Sequence, residues 1–322
     1  MIKIGIIGYD NLGRACESIA VSSNDFKTVG IFTRRNPDTM TSPYGTPFFR
    51  QEDIFKFEND IDVAVICTGS ANDVTELGVR LASRFNTVDS FDTHAKIPNY
   101  FENMSRVAKE NGRLCFISIG WDPGLFSLMR ALFAGVLPDG VAHTFWGRGV
   151  SQGHSEAIRK IAGVVDAKQY TVPKPEALTL AREGGGEWMN DRDKHRRECY
   201  VAVEDGANKD RIEREIKTMP NYFEPYDTTV YFVSAEELKA NHSAMPHAGF
   251  VLRSGEVNGK SQRLEFSLKL DSNPDFTASV LMTYARANAY LYSLGETGAR
   301  TALDIPVSAL FCSEGDIVKR FV

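Results

Sequence analysis

The chain has 322 residues, 43% hydrophobic and 25% charged, which suits an ordinary globular protein with room for two or three domains. A net charge of −5 without a block of Lys or Arg excludes the footprint of a nucleic-acid binder, and apolar stretches such as 132–137 are far too short to cross a bilayer. The five cysteines are odd in number, scattered and without a C-x-x-C, and the six histidines form no ligand cluster, so the expectation is reduced thiols, no metal and a cytoplasmic setting, with no signal-peptide pattern at the start.

Residues 2–7 are a short apolar run of strand type, followed by Gly8-Tyr9-Asp10-Asn11-Leu12-Gly13 and a helical stretch to about residue 22. A second strand, 28–32, ends in Thr33-Arg34-Arg35. Strand, glycine turn, helix and strand in this order form a dinucleotide-binding unit, with the pyrophosphate expected at the helix N-terminus. Gly8 permits the turn and Gly13 lets helix and strand approach. Asp10 takes the place of the middle glycine of the motif, and two arrangements are open: its carboxylate lies near the pyrophosphate, or it turns away and caps the helix. An NAD site usually places an acidic residue at the end of the second strand; Thr33, Arg34 and Arg35 suit the 2′-phosphate of NADP instead.

Further strands are expected at 62–67, 86–90 and 113–118, with a helix capped by Asn72 or Asp73 and another over 98–111. Five strands alternating with helices make a Rossmann-type doubly wound α/β domain. Ligands bind outside the carboxyl ends of such strands, so Thr68-Gly69-Ser70, Phe91-Asp92-Thr93-His94 and Ile119-Gly120-Trp121-Asp122-Pro123 should face the crevice that holds Gly8 to Gly13.

Beyond Pro123 the texture changes to an α+β pattern. Residues 263–270 alternate polar and apolar after an Asn258-Gly259 turn, as in a half-solvated strand of an antiparallel or mixed sheet. Other strand candidates are 141–146, 164–171, 199–203 and 228–233; helices are expected at 153–161, 174–182, 210–218 and, ending at Gly295, 274–294. Residues 182–193, with three consecutive glycines, read as the most mobile loop. The expected division is a dinucleotide-binding domain over 1–120 and a substrate and dimerisation domain over 121–297, with 298–322 a candidate to pack back on the first. Polar and aromatic clusters in the second domain, taken singly, have plain alternatives: Ser155 as a helix cap, Asn273 as a turn residue, Arg196-Arg197 as a solvated edge, and Trp121 as core.

Eight strings decide among these readings: GYDNLGR, IFTRR, IGWDPG, HTFWG, SQGHS, KTMPNYF, AMPH and LKLDSNPDFTAS. Through them the chain resembles, essentially end to end, the meso-diaminopimelate dehydrogenases. The resemblance implies NADP-dependent oxidative deamination of the D-centre of meso-2,6-diaminopimelate to L-2-amino-6-oxopimelate and ammonia, and the reverse reductive amination, in lysine biosynthesis. It implies an NADP site of Gly8, Tyr9, Asp10, Asn11 and Leu12, Thr33 to Arg35, Cys67 to Ser70, Ser90 to Asp92, and Ile119 to Pro123. Asp92 and Asp122, the catalytic candidates, would surround the reacting D-centre with Trp121 and Trp146, Gln152 and Gly153 being close by. Thr171, Arg197, His247 and Asn273 would hold the distal L-centre, and the protein would be a homodimer. Asp10 stands where the family has glycine and Ile119 where it has threonine. The alternatives are a broader NADP-dependent D-amino acid dehydrogenase, which should have lost Arg197 or His247, and a non-catalytic NADP-binding regulator, which would have no use for both Asp92 and Asp122.

Overall fold

The computed structural model describes residues 1–69, 73–311 and 314–322, which form two compact units, Met1–Leu128 with Pro274–Val322, and Met129–Asn273. In the first unit lie β1 (Ile2–Ile7), β2 (Phe26–Thr33), β3 (Phe48–Arg50), β4 (Val63–Ile66), β5 (Asn86–Asp89) and β6 (Leu114–Phe116), with helices α1 (Asn11–Ser22), α2 (Asp73–Ala82) and α3 (Ile97–Glu110). A seventh strand, Gly298–Arg300, joins β6, and the order runs from it through β6, β5, β4, β1 and β2 to β3. Every pairing is parallel. β4 is Val-Ala-Val-Ile with all four residues buried, the pattern of a strand covered on both faces. Because all seven strands run one way, their carboxyl ends share one edge, and the order reverses between β1 and β4, where a ligand crevice is expected. The two strands not foreseen are three residues each, too short for any periodicity to register.

The long helix Asn273–Ser293 departs from the expected domain boundary. Its Ala278, Leu281 and Ala285 are buried in one cluster with Ile4, Val65, Val88 and Phe116, so it belongs to the core of the first unit rather than to residues 121–297. Asn288 Nδ2 donates to the carbonyls of Leu114 at 3.0 Å and Thr87 at 3.3 Å, tying the helix to β6 and β5. Burial of Leu281 alone contributes about 1.5–3 kcal/mol. Buried residues lie on most of the helix circumference, which is why no apolar stripe pointed to a partner.

The second unit holds β7 (Val141–Trp146), β8 (Gly149–Val150), β9 (Val164–Pro173), β10 (His195–Val203), β11 (Asp227–Phe232), β12 (His247–Val257) and β13 (Lys260–Leu270). A mixed sheet runs β11-β10-β9-β8 and an antiparallel one β13-β12-β7. Asn258 and Gly259, both at positive φ, close the β12–β13 hairpin in the left-handed geometry that such turns require. One face of the mixed sheet is covered by Ile158, Ile212 and Ile216 from the helices Gln152–Arg159 and Lys209–Lys217. β10 begins four residues earlier than expected, at His195, because His-Arg-Arg-Glu hid a strand inside a polar string. Helices Leu125–Val136 and Ala235–His242 were also not foreseen. Residues 182–193 run into a short helix, Asp191–Lys194, opened by a capping box at Asn190. Among the described residues no helix is long and apolar enough to cross a membrane.

Candidate active site

The glycine turn after β1 is built by close approach. Gly8 has φ +93°, and a Cβ there would lie 3.0 Å from the Cys67 carbonyl oxygen; a Cβ on Gly13 would lie 2.2 Å from the Gly8 carbonyl oxygen. Asp10 needs no glycine, since its backbone is extended at φ −90°. The capping arrangement is not the one found. Asp10 occupies the N-cap position of α1 but makes no side-chain cap; its carboxylate pairs with Arg35 at 3.3 Å. Arg35 also donates to the Tyr9 carbonyl at 2.6 Å, and its backbone N–H donates to Thr33 Oγ1. A cleft of about 140 Å³ is lined by Gly8, Tyr9, Asp10, Thr33, Arg34, Arg35, Thr68 and Gly69. Gln51, just past β3, completes the lining; no motif in the sequence marks it.

Several candidates meet this rim through backbone only. The Tyr9 ring is buried, packs edge-on against Phe48, and donates its hydroxyl to the buried Glu17; burial and that carboxylate push the phenol up to about 12. The Cys67 thiol lies 3.7 Å from that of Cys16, and Phe91 and Ile119 are fully buried. Asn11 and Leu12 open α1, whereas Ser70 and the cap candidate Asn72 lie outside the described residues.

A residue that sequence reasoning passed over organises two of the strand ends. The Asp89 carboxylate, fully buried, accepts from the N–H of Phe91 at 2.9 Å, the N–H of Ser118 at 3.1 Å and the Tyr100 hydroxyl at 2.7 Å. Burial pushes its pKa upward, against those three donors. Asp89 thus joins the turn of Ser90, Phe91 and the exposed Asp92 to the turn that begins at Ile119, whose N–H donates to the Asp89 carbonyl. The next residues, Gly120-Trp121-Asp122-Pro123-Gly124, form a tight loop in which a Cβ on Gly124 would lie 1.9 Å from the Gly120 carbonyl oxygen. Trp121 is half-buried, edge-on to Phe126 at 5.2 Å, and Asp122 is half-buried beside it.

In the second unit the sheet registers gather residues far apart in sequence. Arg197 faces Thr171 across β10 and β9, and its Nη1 donates to Thr171 Oγ1. Thr171 pairs in turn with Gly149, where a Cβ would lie 3.3 Å from the His247 Cα. Met245 joins the remaining candidates: its carbonyl accepts from the Asn273 N–H at 3.1 Å, its sulfur from Gln152 Nε2 at 2.8 Å, and His247 Nδ1 lies 3.3 Å from the same carbonyl. Gly153 stands in open space. Ser155 is not the cap of its helix; Ser151 is, and Ser155 bonds back to the Ser151 carbonyl.

Arg197 carries the electrostatics of this cluster. It is 7% exposed, its guanidinium lies 3.9 Å from the Tyr226 ring centroid, and its Nε has no hydrogen-bond partner. Among the described residues no carboxylate pairs with it, and burial lowers its pKa. Arg196, its neighbour, is the solvated one, paired with Glu198. A buried cation without a counter-ion is held at a cost that an entering carboxylate would offset. The nearby His154 is pushed down to about 4 by burial and by Arg197.

Comparison with known proteins shows the family of the chain. Residues 120–272 match the family described as the diaminopimelic acid dehydrogenase C-terminal domain. The chain is 52% identical over 310 residues to a meso-diaminopimelate D-dehydrogenase of Ureibacillus thermosphaericus, covering 96% of this chain and 95% of the relative. A C. glutamicum DAP dehydrogenase solved in complex with DAP is 40% identical, with a TM-score of 0.92 over 100% of this chain and 99% of that one. An engineered D-amino acid dehydrogenase solved with NADP+ is 38% identical, with a TM-score of 0.87 over 100% and 99%.

Proposed function

Since the chain belongs to the meso-diaminopimelate dehydrogenase family, we propose that it carries out NADP-dependent oxidative deamination of the D-centre of meso-2,6-diaminopimelate, and the reverse amination. One water is consumed to hydrolyse the imine left by hydride loss, and the products are L-2-amino-6-oxopimelate, ammonia, NADPH and a proton. The first unit fits the cofactor: neither glycine of the turn admits a side chain, and Thr33, Arg34 and Arg35 stand at the end of β2 with no acidic residue among them. NADP, when bound, supplies the hydride acceptor.

The protein's own groups do the rest. Asp122 and Asp92 present negative charge to the substrate ammonium at the reacting carbon, and Asp122 or a water beside it accepts the proton that the amine loses. Trp121 and Trp146 flank that carbon, with Gln152 and Gly153 close by. Arg197 and Thr171 bind the distal carboxylate, and His247 and Asn273 complete the distal site. The observation that carries this assignment is the buried Arg197 without an anion, since a guanidinium binds a carboxylate through two parallel bonds. A homodimer formed through the second unit and a cytoplasmic location belong to the same reading.

The test is reduction of NADP dependent on meso-diaminopimelate, with the D,D- and L,L-isomers and simple D-amino acids as controls. Activity with the meso form alone supports the reading. Equal activity with simple D-amino acids would make it a broader D-amino acid dehydrogenase. NADP binding with no turnover on any of these substrates would make it a regulator.

A further inference from the structure

Within the second unit, His195 opens β10 and Arg197 follows two residues later, both buried and so on the same face of the strand, about 6–7 Å apart along it. The His195 ring is 1% exposed. Its Nε2 accepts the backbone N–H of Trp146 at 2.9 Å, so the proton sits on Nδ1, which faces the Asp191 carbonyl at 3.3 Å. The ring also packs against the Trp146 indole at 5.5 Å and the Phe145 ring at 5.8 Å. Trp146 ends β7, which belongs to the antiparallel sheet, whereas β10 is central in the mixed one. The bond from Trp146 to His195 therefore links two sheets that share no strand pairing at this point.

One residue beyond Trp146, a Cβ on Gly147 would lie 2.4 Å from the Thr171 carbonyl oxygen, so the end of β7 is pressed against β9 beside Thr171, the partner of Arg197. The end of β7 is thus held on β10 by one acceptor atom and against β9 by the absence of a side chain.

We propose that His195 is a positioning residue which fixes the separation of Trp146 from Arg197 and so gauges the length of substrate that the second unit accepts. The proposal rests on the reading that Trp146 and Arg197 serve opposite ends of the substrate. If β10 presents the distal anchor and, two residues earlier, the hook that holds the other end, the distance between the ends is set by the rise of one strand rather than by flexible side chains. Burial holds the imidazole neutral, pushing it down to about 4, so it remains an acceptor at neutral pH.

The experiment compares His195→Phe, which keeps a ring but has no acceptor, with His195→Gln, which keeps an acceptor. Steady-state kinetics would be measured on meso-diaminopimelate and on the meso diamino diacid one methylene shorter, with NADP affinity measured separately. For His195→Phe the expected result is a KM for meso-diaminopimelate raised up to about tenfold, the scale of one lost hydrogen bond, with kcat little changed. Its preference over the shorter diacid should fall by a similar factor, NADP binding should be unchanged, and His195→Gln should recover most of the preference. Equal losses for the two diacids in His195→Phe, or an unchanged preference, would overturn the proposal. Trp146→Ala and Arg197→Ala separate the two levels of inference. If both shift the preference and His195→Phe does not, the gauge alone is wrong; if neither shifts it, the assignment of substrate ends is wrong.

Discussion

The two units make their sites from different material. In the first, part of the rim is main chain: Tyr9, Cys67, Phe91 and Ile119 direct their side chains into the core and leave backbone atoms at the strand ends. In the second, the proposed site is side chains, with Arg197 and Thr171 brought together by strand register and His247 by its close approach to Gly149. A main-chain site is specified by what must be small or buried, such as Gly8, Gly13 and Gly124. A side-chain site is specified by one or two irreplaceable groups. Substitutions should therefore fail differently: in the first unit through stability, in the second through chemistry with the fold intact.

The largest expected effect separates the units by pH. His154 and His195 of the second unit are pushed from 6.5 to about 4, burial being the main cause for each. The folded state disfavours their protonation, so the stability this confers is complete above pH 6.5 and declines as pH falls from there towards 4, by about 3 kcal/mol for each as an order of magnitude. Denaturant titrations from pH 7 to 4 should show the second unit weakening in this window. An equally steep decline in a variant carrying His154→Gln and His195→Gln would remove these residues as the cause.

Arg197→Ala should lower kcat/KM for meso-diaminopimelate by about 2–5 kcal/mol, the scale for unpairing a buried charge, while simple apolar D-amino acids gain relative to it. Thermal stability should hold or rise, because the residue removed is a buried cation without an anion. A sharp fall in melting temperature would show that Arg197 is structural and blur the contrast.

In the proposed NADP site, Arg34 and Arg35 are the side chains on which the first unit would rely. Replacing both by alanine should weaken NADP by tenfold or more, at about 1.5–3 kcal/mol per charged contact, and NAD far less. Matched losses for both cofactors would mean that the pair does not read the 2′-phosphate.

Tyr9→Phe tests the main-chain character directly. It removes a hydroxyl donor from the buried Glu17 and should cost about 1–3 kcal/mol of stability while leaving NADP affinity nearly unchanged. A large loss of affinity at unchanged stability would show that the Tyr9 side chain belongs to the site.

The smallest effect concerns Asp10. Its exposed pair with Arg35 holds the guanidinium on the Tyr9 carbonyl, so Asp10→Gly should free Arg35 and tighten NADP by about two- to fivefold, the range of a surface ion pair. Stability should not fall, since Asp10 makes no cap. Weaker NADP binding in Asp10→Gly would show that the pair orders the loop for the cofactor.

Local pattern was enough for the nucleotide unit. An apolar run, a turn that only glycine can make and a helix start sit within a few residues of one another, so β1, α1 and the Thr33-Arg34-Arg35 strand end were legible without any tertiary information. The same holds for the Asn258-Gly259 hairpin and the alternation of β13. The functional strings of the second unit were legible only as a resemblance, because Thr171, Arg197, His247 and Asn273 share no spacing that chemistry alone would recognise. Four features were decided by tertiary structure alone. The long helix joined the first core because burial around most of its circumference gives no direction. Asp10 turned to Arg35, a residue remote in sequence. Asp89 became the tie between two strand ends, since three donors from separate segments meet its carboxylate. His195 opens a strand because the segment it begins pairs along both β9 and β11, which outweighs the polarity of its first residues. Each depends on contacts distant in sequence, which periodicity over a short window cannot register.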